Sequence, residues 1–396
     1  MTEDADELPF EITLDKLDTG LRDFPVGHCT TSTVHPTKGL HYAGTAIDKL
    51  ASWEPQEVIY LLQHRKKGSA KEVKRFYDDL QQHEKCTPEL IKQIRMLPRS
   101  AHPMKLFSIA LLLCGALEGT GDYRKDCLNL IAKAPEIAAA VINYHAGNWG
   151  ALRPSCPELG YMENFVQMLN VPNGDEKALT PVFKLFNILH YDHGGGNLST
   201  FVGKAVASGL EDMYGSMSAA MCALAGPRHG KANQECLEFV QEVLISVGPD
   251  ATPKKVEAHV RSRLESKQLV FGFGHAVLRV EDPRATVQYD YAKKHYPNNP
   301  LVKIALMLRS EGVKVLKEKA KASNPYPNVD AISGTLLTAA GFPYPAYYTV
   351  LFGLSRIVGI AIQIVYERCE VKGSDGKVLR NGLPIVRPKY LEPPIE

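Results

Sequence analysis

The stretch "YYTVLFGLSRIVGIAIQIVY", residues 347–366, is apolar apart from one charged residue, Arg356. Its length would suffice for a membrane span, but an arginine near the middle of such a span costs about 2.5–3.5 kcal/mol. The charged segment "RCEVKGSDGK" follows directly, and the sequence shows no second span. We therefore predict a helix buried in a large core, and no membrane partner. A buried arginine needs an acidic side chain or a bound anion, which makes Arg356 a candidate anion ligand.

Helix signals recur on the N-terminal side of this segment. "SAKEVKRFYDDL" begins with a capping box from Ser69 to Glu72. "TPELIKQIRML" places Thr87 directly before Pro88, which is the usual order at the start of a helix. Alternating strand patterns are scarce, and "STVHPTKGLHYAG" and "GSDGKVLRNG" predict only two small hairpins.

Proline and glycine cluster at residues 226–230, 271–274 and 325–345, where we expect changes of chain direction. Together with the helix signals, these clusters predict a mainly α protein of two helical parts. The predicted large helical domain contains residues 1–229 and 339–396. The predicted smaller helical lid domain contains residues 230–338.

The composition excludes several classes of function. The 396 residues include 46 basic and 44 acidic side chains, for a net charge of +2. This balance gives no footprint for nucleic acid, so anion binding must depend on particular arginines. The eight cysteines form no C-x-x-C pair, and we interpret them as reduced core residues of an intracellular protein. The start "MTEDADELPF" is acidic and lacks an apolar segment, which predicts a cytoplasmic chain without a signal or transit peptide.

A histidine, His229, lies in the crowded stretch "AGPRHGKANQE". We expect a helix to begin near Gly230, and its N-terminus together with Arg228 would keep the imidazole neutral. A neutral imidazole can donate a hydrogen bond to a developing oxyanion. The alternative is a turn histidine that helps to cap the helix.

A second histidine, His275, follows two glycines in "GFGHAVLRVEDPR". Gly272 and Gly274 permit close approach of the backbone to a ligand, and Arg279 and Arg284 favour an anionic one. The alternative is a solvated charged loop. The run "GFGFG" lacks the glycine spacing of a dinucleotide-binding turn.

An aspartate, Asp330, ends the stretch "NPYPNVD", in which Pro325 and Pro327 stiffen the chain. It is either a general base held in a rigid loop or the N-cap of the helix that follows. The sequence pattern leaves both interpretations open.

Two alternative chemistries also stay open. The segment "HYDH", residues 190–193, offers two histidines and an aspartate to a metal, although it has no H-E-x-x-H pattern and no obvious third ligand. Cys222 and Cys236 lie on either side of His229 and permit a Cys–His nucleophile. Both cysteines also fit apolar helical stripes, which is the simpler interpretation of their positions. We predict no metal and no other cofactor.

Taken in order, these motifs resemble the citrate synthase family. The resemblance rests on "HGGGN", "GPRHGKAN", "GFGHAVLRVEDPR", "NPYPNVDAISG", "LFGLSRIVG" and "IVRPKY". It extends from residue 190 to the end of the chain and is weaker before it, where "GLHYAGTAIDKLA" is similar to the family's Y-R-G-x-x-I segment. The resemblance implies the citrate synthase fold. It also implies an acyltransferase that condenses acetyl-CoA with oxaloacetate to give citrate and CoA.

The resemblance implies a role for each candidate residue. Asp330 would remove a proton from the acetyl methyl group, His229 would stabilise the enolate, and His275 would polarise the ketone of oxaloacetate. The implied ligands of oxaloacetate or citrate are His193, Arg284, Arg356 and Arg387. The implied CoA-binding residues are Arg279, Gly272, Gly274, Lys321 and Asn328.

The resemblance further implies a homodimer, in which Arg387 of one subunit reaches the site of the other. Small residues four apart at Gly215, Ala219 and Ala223 suit close packing of helices. The chain departs from the family pattern in several places. These are Gly194, where an acidic residue is usual, Ala43, where arginine is usual, Arg228, Lys231, and an insertion around "EVKGSDGKVL" before the final "RP".

Several rival functions remain. A 2-methylcitrate synthase would use propionyl-CoA on the same scaffold, and one methylene gives only about 1–3 kcal/mol of discrimination. A citrate synthase could also operate reversibly, because direction depends on metabolite levels. From other classes, a non-catalytic dimeric scaffold and a metal-dependent hydrolase stay open.

Overall fold

The computed structural model describes residues 13, 16–17, 19–22, 24–147, 152–227, 229–248, 250–320 and 324–391. Over these residues the chain forms three short strands and sixteen α-helices, which confirms the mainly α prediction. The strands are β1 (Ser32–His35), β2 (Gly39–Tyr42) and β3 (Thr45–Ala46). The helices are α1 (Ile47–Leu50), α2 (Pro55–His64), α3 (Ala70–Gln82), α4 (Pro88–Ile94), α5 (Pro103–Glu118), α6 (Tyr123–His145), α7 (Tyr161–Leu169), α8 (Glu176–His190), α9 (Leu198–Ser208), α10 (Met213–Leu224), α11 (Ala232–Val247), α12 (Pro253–Glu265), α13 (Pro283–His295), α14 (Pro300–Val315), α15 (Asp330–Ala339) and α16 (Tyr348–Cys369).

The predicted helix α16 is the centre of the core. Among the described residues it is the one helix long and apolar enough to cross a membrane, and its most apolar window is wholly buried inside the fold. Helices α2, α5, α6, α8, α9 and α10 pack around it. Arg356, in its middle, is 2% exposed. The prediction of a buried core helix with a buried arginine is therefore confirmed.

Local signals placed several other elements correctly. The capping box of α3 forms between Ser69 and Glu72, and the Thr87 side chain accepts the backbone N–H of Leu90 in the first turn of α4. The first predicted hairpin is β1–β2, which pairs antiparallel with Ser32 opposite Tyr42. The second is marked by an antiparallel bridge between residues 372 and 378. These signals succeed because they depend on neighbours in the chain.

Helix α11 begins at Ala232, close to the expected start near Gly230, and His229 lies in the turn ahead of the helix as predicted. One expectation about the cysteines is wrong. The cysteines are all free, but Cys222 is exposed, whereas the expectation was a core position. The apolar stripe of α10 is itself buried, and Cys222 is the exposed position on that helix.

Helices α11 to α15 pack mainly on one another, as a separate lobe would. They also contact the rest of the molecule, because α11 packs on α16, α13 on α1 and α15 on α8. The division at residues 229–230 and 338–339 stays a prediction. The important point for the site is that both groups of helices contribute residues to it.

Candidate active site

One wall of the site is the segment His190–Asp192, which is held against α16 by donors on one face of that helix. Arg356 donates Nε–H to the carbonyl of residue 190 at 3.0 Å. Gly359 donates its backbone N–H to the carbonyl of residue 191 at 3.1 Å. Gln363 donates Nε2–H to the Asp192 carboxylate at 2.8 Å. A Cβ at residue 359 would lie 2.7 Å from Asp192 Cβ, so this close contact requires glycine.

The buried Asp192 carboxylate orients the neighbouring His193. It accepts the backbone N–H of His193 at 2.9 Å and the hydroxyl of Thr31. Burial raises the pKa of Asp192, and the hydrogen bond from Thr31 and the charge of Arg356 oppose that rise. The Nε2 atom of His193 is buried and has no hydrogen-bond partner among the described residues. It is therefore free for a ligand.

The metal alternative for "HYDH" has no geometric support. His190 is a core residue, because its Nδ1 bonds the carbonyl of Phe186 at 2.7 Å and its ring stacks on Phe186 at 4.1 Å between centroids. Burial lowers the pKa of His190 to about 3. The described residues contain no group of three or more His, Cys, Asp or Glu side chains that could hold a metal.

His229 is a neutral donor whose proton position is fixed by Ser199. The backbone N–H of Ser199 donates to His229 Nε2 at 3.2 Å, and the Ser199 hydroxyl lies 2.9 Å from the same nitrogen. Because Nε2 accepts, the neutral ring carries its proton on Nδ1. Burial, followed by the charge of Arg356, lowers the pKa of His229 to about 4.

The crowded sequence around His229 has a steric reason. The N–H of Gly230 bonds the carbonyl of Leu224 at 2.9 Å, and a Cβ at this glycine would lie 2.6 Å from that carbonyl oxygen. The neutral state of His229 was predicted correctly, but for a different reason. The charge of Arg356 replaces the helix terminus as the second cause, and Arg228 lies outside the described residues.

His275 carries its free proton on the opposite ring nitrogen. The backbone N–H groups of Val277 and Leu278 both donate to His275 Nδ1 at 3.0 Å. Nδ1 is thus an acceptor, and the neutral ring presents Nε2–H. Burial, followed by the charge of Arg284, lowers the pKa of His275 to about 4. Its ring centroid lies 5.1 Å from that of His193, so the two histidines share one site.

The glycine-rich loop around His275 is bonded to the loop that leads to Asp330. Asn328 donates its backbone N–H to Gly272 at 2.9 Å and its side-chain amide to Gly274 at 3.1 Å. The Asn328 side-chain oxygen accepts the N–H of Asp330 at 3.0 Å. Gly272 has φ +84° and lies against Ala331, where a Cβ would approach the Ala331 Cα to 2.9 Å. These bonds fix Asp330 relative to His275.

Asp330 is the first residue of α15 and does not cap it. The N-cap is Val329, and no side chain caps this helix, so the N-cap alternative is wrong. Oδ1 of Asp330 is buried without a hydrogen-bond partner in the described part of the chain. Burial raises the pKa of Asp330 to about 6, while the charges of Arg284 and Arg356 oppose the rise. A carboxylate with one buried, unpaired oxygen can serve as a base near neutral pH.

Two buried arginines near these groups differ in their partners. Arg284 is 3% exposed, and its Nε and Nη2 donate to Asp282 at 3.1 and 2.7 Å. Arg356 donates to the carbonyl of residue 190 and, at 3.3 Å, to Asn197. Among the described residues no carboxylate forms a salt bridge with Arg356. Burial lowers its pKa to about 10, which still leaves a full positive charge available to an anion.

The remaining candidates lie farther out. Arg279 is exposed, and its Nη1 donates to the carbonyls of its own turn, as close as 2.8 Å to that of Leu278. Lys321 lies outside the described residues. Arg387 is exposed in the C-terminal segment, which is tethered where Val386 N–H donates to Ser208 Oγ at 2.9 Å. Among the described residues, the structure thus brings Arg387 to no other candidate residue of its own chain.

Two residues of the site were missed from the sequence. Ser199 sets the proton position on His229 from thirty positions away, and no local signal reports that contact. Asp282 pairs with Arg284 at 2.7 Å. Its place directly before Pro283 is an N-cap signal, and Asp282 does cap α13. That signal could have identified Asp282 as fixed near Arg284.

Comparison with known proteins agrees with this geometry. The family model for "Citrate synthase, C-terminal domain" matches residues 20–389. The chain belongs to the citrate synthase family. It is 34% identical to mitochondrial citrate synthase 4 of Arabidopsis thaliana over 90% of this chain and 80% of that protein. It is likewise 34% identical to the mitochondrial citrate synthase of Citrus maxima, over 96% and 82%. The chain is therefore an acyltransferase of the citrate synthase type.

Solved structures show the same fold. The citrate synthase of Thermotoga maritima superposes with a TM-score of 0.78 at 25% identity, covering 96% of this chain and 97% of that one. A ternary complex of Thermoplasma acidophilum citrate synthase with carboxymethyl coenzyme A and oxaloacetate gives a TM-score of 0.79 at 26% identity, covering 95% and 96%. The predicted citrate synthase fold is confirmed.

The expected cytoplasmic location is wrong. Both plant relatives, and a third from Daucus carota at 32% identity over 96% of this chain and 82% of that protein, are mitochondrial enzymes. The acidic start of the sequence had predicted a cytoplasmic location instead.

Proposed function

We propose that this citrate synthase condenses acetyl-CoA with oxaloacetate in mitochondria, releasing citrate and CoA. One observation supports this function above the others. The Asp330 carboxylate has one buried, unpaired oxygen among the described residues. It is within electrostatic range of Arg284 and Arg356, which also act on two neutral imidazoles whose proton positions are fixed by backbone amides. A weakly acidic carbon acid needs this combination, because its base is effective only if an oxyanion partner takes up the charge.

The first step is proton removal. The Asp330 carboxylate takes a proton from the methyl group of acetyl-CoA, and the electron pair moves to the thioester oxygen. Nδ1–H of His229 donates a hydrogen bond to that oxygen. The ring is neutral at pH 7 because its pKa is about 4, so it stabilises the enolate without first losing a proton.

The second step forms the carbon–carbon bond. The enolate carbon attacks the ketone carbon of oxaloacetate, and the ketone oxygen becomes an alkoxide that Nε2–H of His275 stabilises with a hydrogen bond. The alkoxide gains one proton and Asp330 releases the one that it took from the methyl group, so the protein ends the cycle with no net change in protons. Water then cleaves the thioester to give citrate and CoA. His193 holds oxaloacetate through its free Nε2, and its ring lies against that of His275.

The charge of the substrate fits the two arginines. Oxaloacetate carries two carboxylates, and fixed guanidinium groups recognise such groups with high selectivity. Arg356 is buried without a counter-ion among the described residues, so an anionic substrate would supply one. We propose that coenzyme A binds on the side of the site formed by Gly272, Gly274, Asn328, Arg279 and Lys321. Its thioester is a substrate, and the reaction uses no cofactor.

A thiol-release assay tests the reaction directly. Acetyl-CoA and propionyl-CoA are each incubated with and without oxaloacetate. The proposal predicts rapid release of CoA from acetyl-CoA only when oxaloacetate is present. Preferential use of propionyl-CoA would identify a 2-methylcitrate synthase instead, and no release from either thioester would identify a scaffold.

We also propose a homodimer that shares its sites. Helix α5 exposes Ile109, Leu112 and Leu117 at 38%, 50% and 46%, next to α10 with its small residues. The C-terminal segment exposes Ile385 at 64% and Tyr390 at 90%. Exposed apolar side chains of this kind favour an interaction face, and a second copy of the chain would cover them. Arg387 would then enter the partner's site.

A mixed dimer tests this sharing. Arg387→Ala and Asp330→Asn should each be nearly inactive alone. Co-expressed with different affinity tags, they form a mixed dimer in which one site carries both defects and the other carries neither. We expect roughly half of the activity of the unaltered dimer if the sites act independently. A mixed dimer as inactive as its parents would show that Arg387 does not act in trans.

A further inference from the structure

Helix α16 contains a second buried arginine near its C-terminal end, Arg368, which is 5% exposed. Its partners are backbone carbonyls of the segment that follows. Nη1 donates to Asn381 at 3.0 Å and Nη2 donates to Leu383 at 2.7 Å. A planar guanidinium holds two acceptors in fixed directions. Both acceptors lie only a few residues before Arg387, so the fork fixes the path of the chain toward that residue.

Gly382 brings the same segment into contact with the last turns of α16. It has φ +67°, and a Cβ there would lie 2.6 Å from Arg368 Cα and would clash with the carbonyl oxygen of Glu367. That oxygen accepts the N–H of Leu383 at 3.0 Å. The Glu367 side chain pairs with Lys204 of α9 at 2.8 Å. The chain therefore leaves α16 over a surface that is itself held rigid.

The inserted residues between α16 and this contact form a closed hairpin. Leu379 N–H bonds the carbonyl of Val371 at 2.9 Å, and Gly373 N–H bonds that of Lys377 at 2.9 Å. The hairpin begins and ends at the same helix terminus. Its length consequently has little influence on where the chain continues, because closing a loop depends only weakly on loop length. The contacts at residues 381–383 decide the direction instead.

We propose that Arg368 is a positioning residue for Arg387. Together with Gly382, it holds residues 381–383 against α16, and we call this contact the clamp. The clamp fixes the direction of the C-terminal segment 384–391 before any partner or substrate is bound. The inference rests on the proposed role of Arg387 in binding oxaloacetate in the partner's site. A freely moving segment would lose conformational entropy on each binding event. The clamp reduces that loss, so its effect should fall on oxaloacetate affinity.

The test uses Arg368→Met in the full-length dimer, which keeps an apolar stem and removes both donors. We expect KM for oxaloacetate to rise about tenfold or more, toward the value of Arg387→Ala, with a smaller change in kcat. The double variant should be no weaker than Arg387→Ala alone, because both act through one residue. Arg380→Met is the matched control, since Arg380 is an exposed arginine of the same segment, and its KM should be unchanged.

A second readout does not depend on activity. Trypsin should cleave after Lys389, an exposed residue of the same segment, several times faster in Arg368→Met than in the unaltered dimer, at a temperature where both are folded; the bond after Arg387 itself resists trypsin because Pro388 follows it. Gly382→Ala should do the same by steric pressure, and it replaces Arg368→Met if that variant fails to fold. If Arg387→Ala leaves KM unchanged, the proposed role of Arg387 fails, and proteolysis alone decides on the clamp. The clamp would be overturned by a different combination of results. In that case Arg387→Ala raises KM for oxaloacetate, but Arg368→Met and Gly382→Ala change neither KM nor the rate of proteolysis.

Discussion

The site has two walls that are built in different ways. The wall of Arg356 and His193 is a straight helix, α16, with a segment hydrogen-bonded along one of its faces. The wall of His275 and Asp330 consists of two loops joined through Asn328. The helix wall supplies fixed charge, and the loop wall supplies the groups that exchange or donate protons. A helix anchors a long side chain in a core, whereas loops place short polar side chains against one another.

The two arginines show the same difference in electrostatic terms. Arg356, in the helix wall, is buried without an ion pair among the described residues. Arg284 begins the helix behind the loop wall and pairs with Asp282 at 2.7 Å. The first is a charge without a counter-ion in the described part of the chain, and the second is a charge that its pairing with Asp282 already holds in place for the substrate. This comparison makes predictions that can separate the walls.

The largest expected effect is that of Asp330→Asn in the loop wall. Loss of the base should reduce kcat by about 10²–10⁴-fold, while oxaloacetate affinity stays nearly unchanged because the helix wall is intact. Steady-state kinetics and calorimetric titration with oxaloacetate measure the two quantities. Asp290→Asn, an exposed aspartate on α13, is the control. Loss of oxaloacetate affinity together with turnover would show that Asp330 has a structural role.

The same variant should be more stable than the parent at neutral pH. The folded-state pKa of Asp330 is raised to about 6, so the folded state binds this proton more tightly than the unfolded state does. The contribution of Asp330 to stability therefore decreases as pH rises from about 4 to 6. Removing the charge should increase the unfolding free energy at pH 7 by at most about 3 kcal/mol. The gain should disappear below about pH 4, which urea titrations at both pH values would measure.

The arginines should fail in opposite ways. Arg284→Leu leaves the carboxylate of Asp282, which is 1% exposed, buried and unpaired, so it should lose about 3–5 kcal/mol of stability. Arg356→Leu should change stability little and weaken oxaloacetate binding by about 10–100-fold. Adding Asp282→Asn to Arg284→Leu should recover much of the lost stability. If Arg284→Leu and Arg356→Leu lowered the free energy of unfolding equally, the proposed difference between a paired and an unpaired arginine would be wrong.

The smallest expected effect is on the pH profile of kcat/KM. The base must be ionised, so activity should decline as pH falls through about 6, the raised pKa of Asp330. Protonation of His229 and His275 should contribute only near pH 4. We expect about a twofold loss at pH 6 and about tenfold at pH 5. A profile that stays flat down to pH 4 would show that burial does not raise the pKa of the base.

Much of the fold is visible in local signals of the sequence. The caps of α3 and α4 form as predicted because each depends on residues within one helical turn. Helix α6 is instructive because Pro135 lies inside it, twelve residues after its start at Tyr123. Proline normally favours the first turn, and here the surrounding core maintains the helix through it. A prediction that begins a helix at such a proline would place the start of α6 twelve residues late, although the Asp122 side chain caps its true start.

The residues of the site could be predicted, but their partners could not. His229, His275, Asp330 and Arg356 stand out because glycines, prolines or an apolar run surround them. His229 was expected to be neutral, and its low pKa agrees. The anionic ligand expected beside His275 stays a prediction. What the sequence left open for Asp330, base or cap, was decided only when the structure showed Val329 as the cap.

The sequence by itself determined the residue types of the site, the central apolar helix with its buried charge and the family to which the chain belongs. These features depend on neighbours in the chain or on motif order. The tertiary structure alone decided which nitrogen of each imidazole carries the proton, since Ser199 and His229 meet only after folding. It also decided that Arg284 is paired and Arg356 is not. Contacts between distant segments have no local signature, because their geometry arises only when the helices pack.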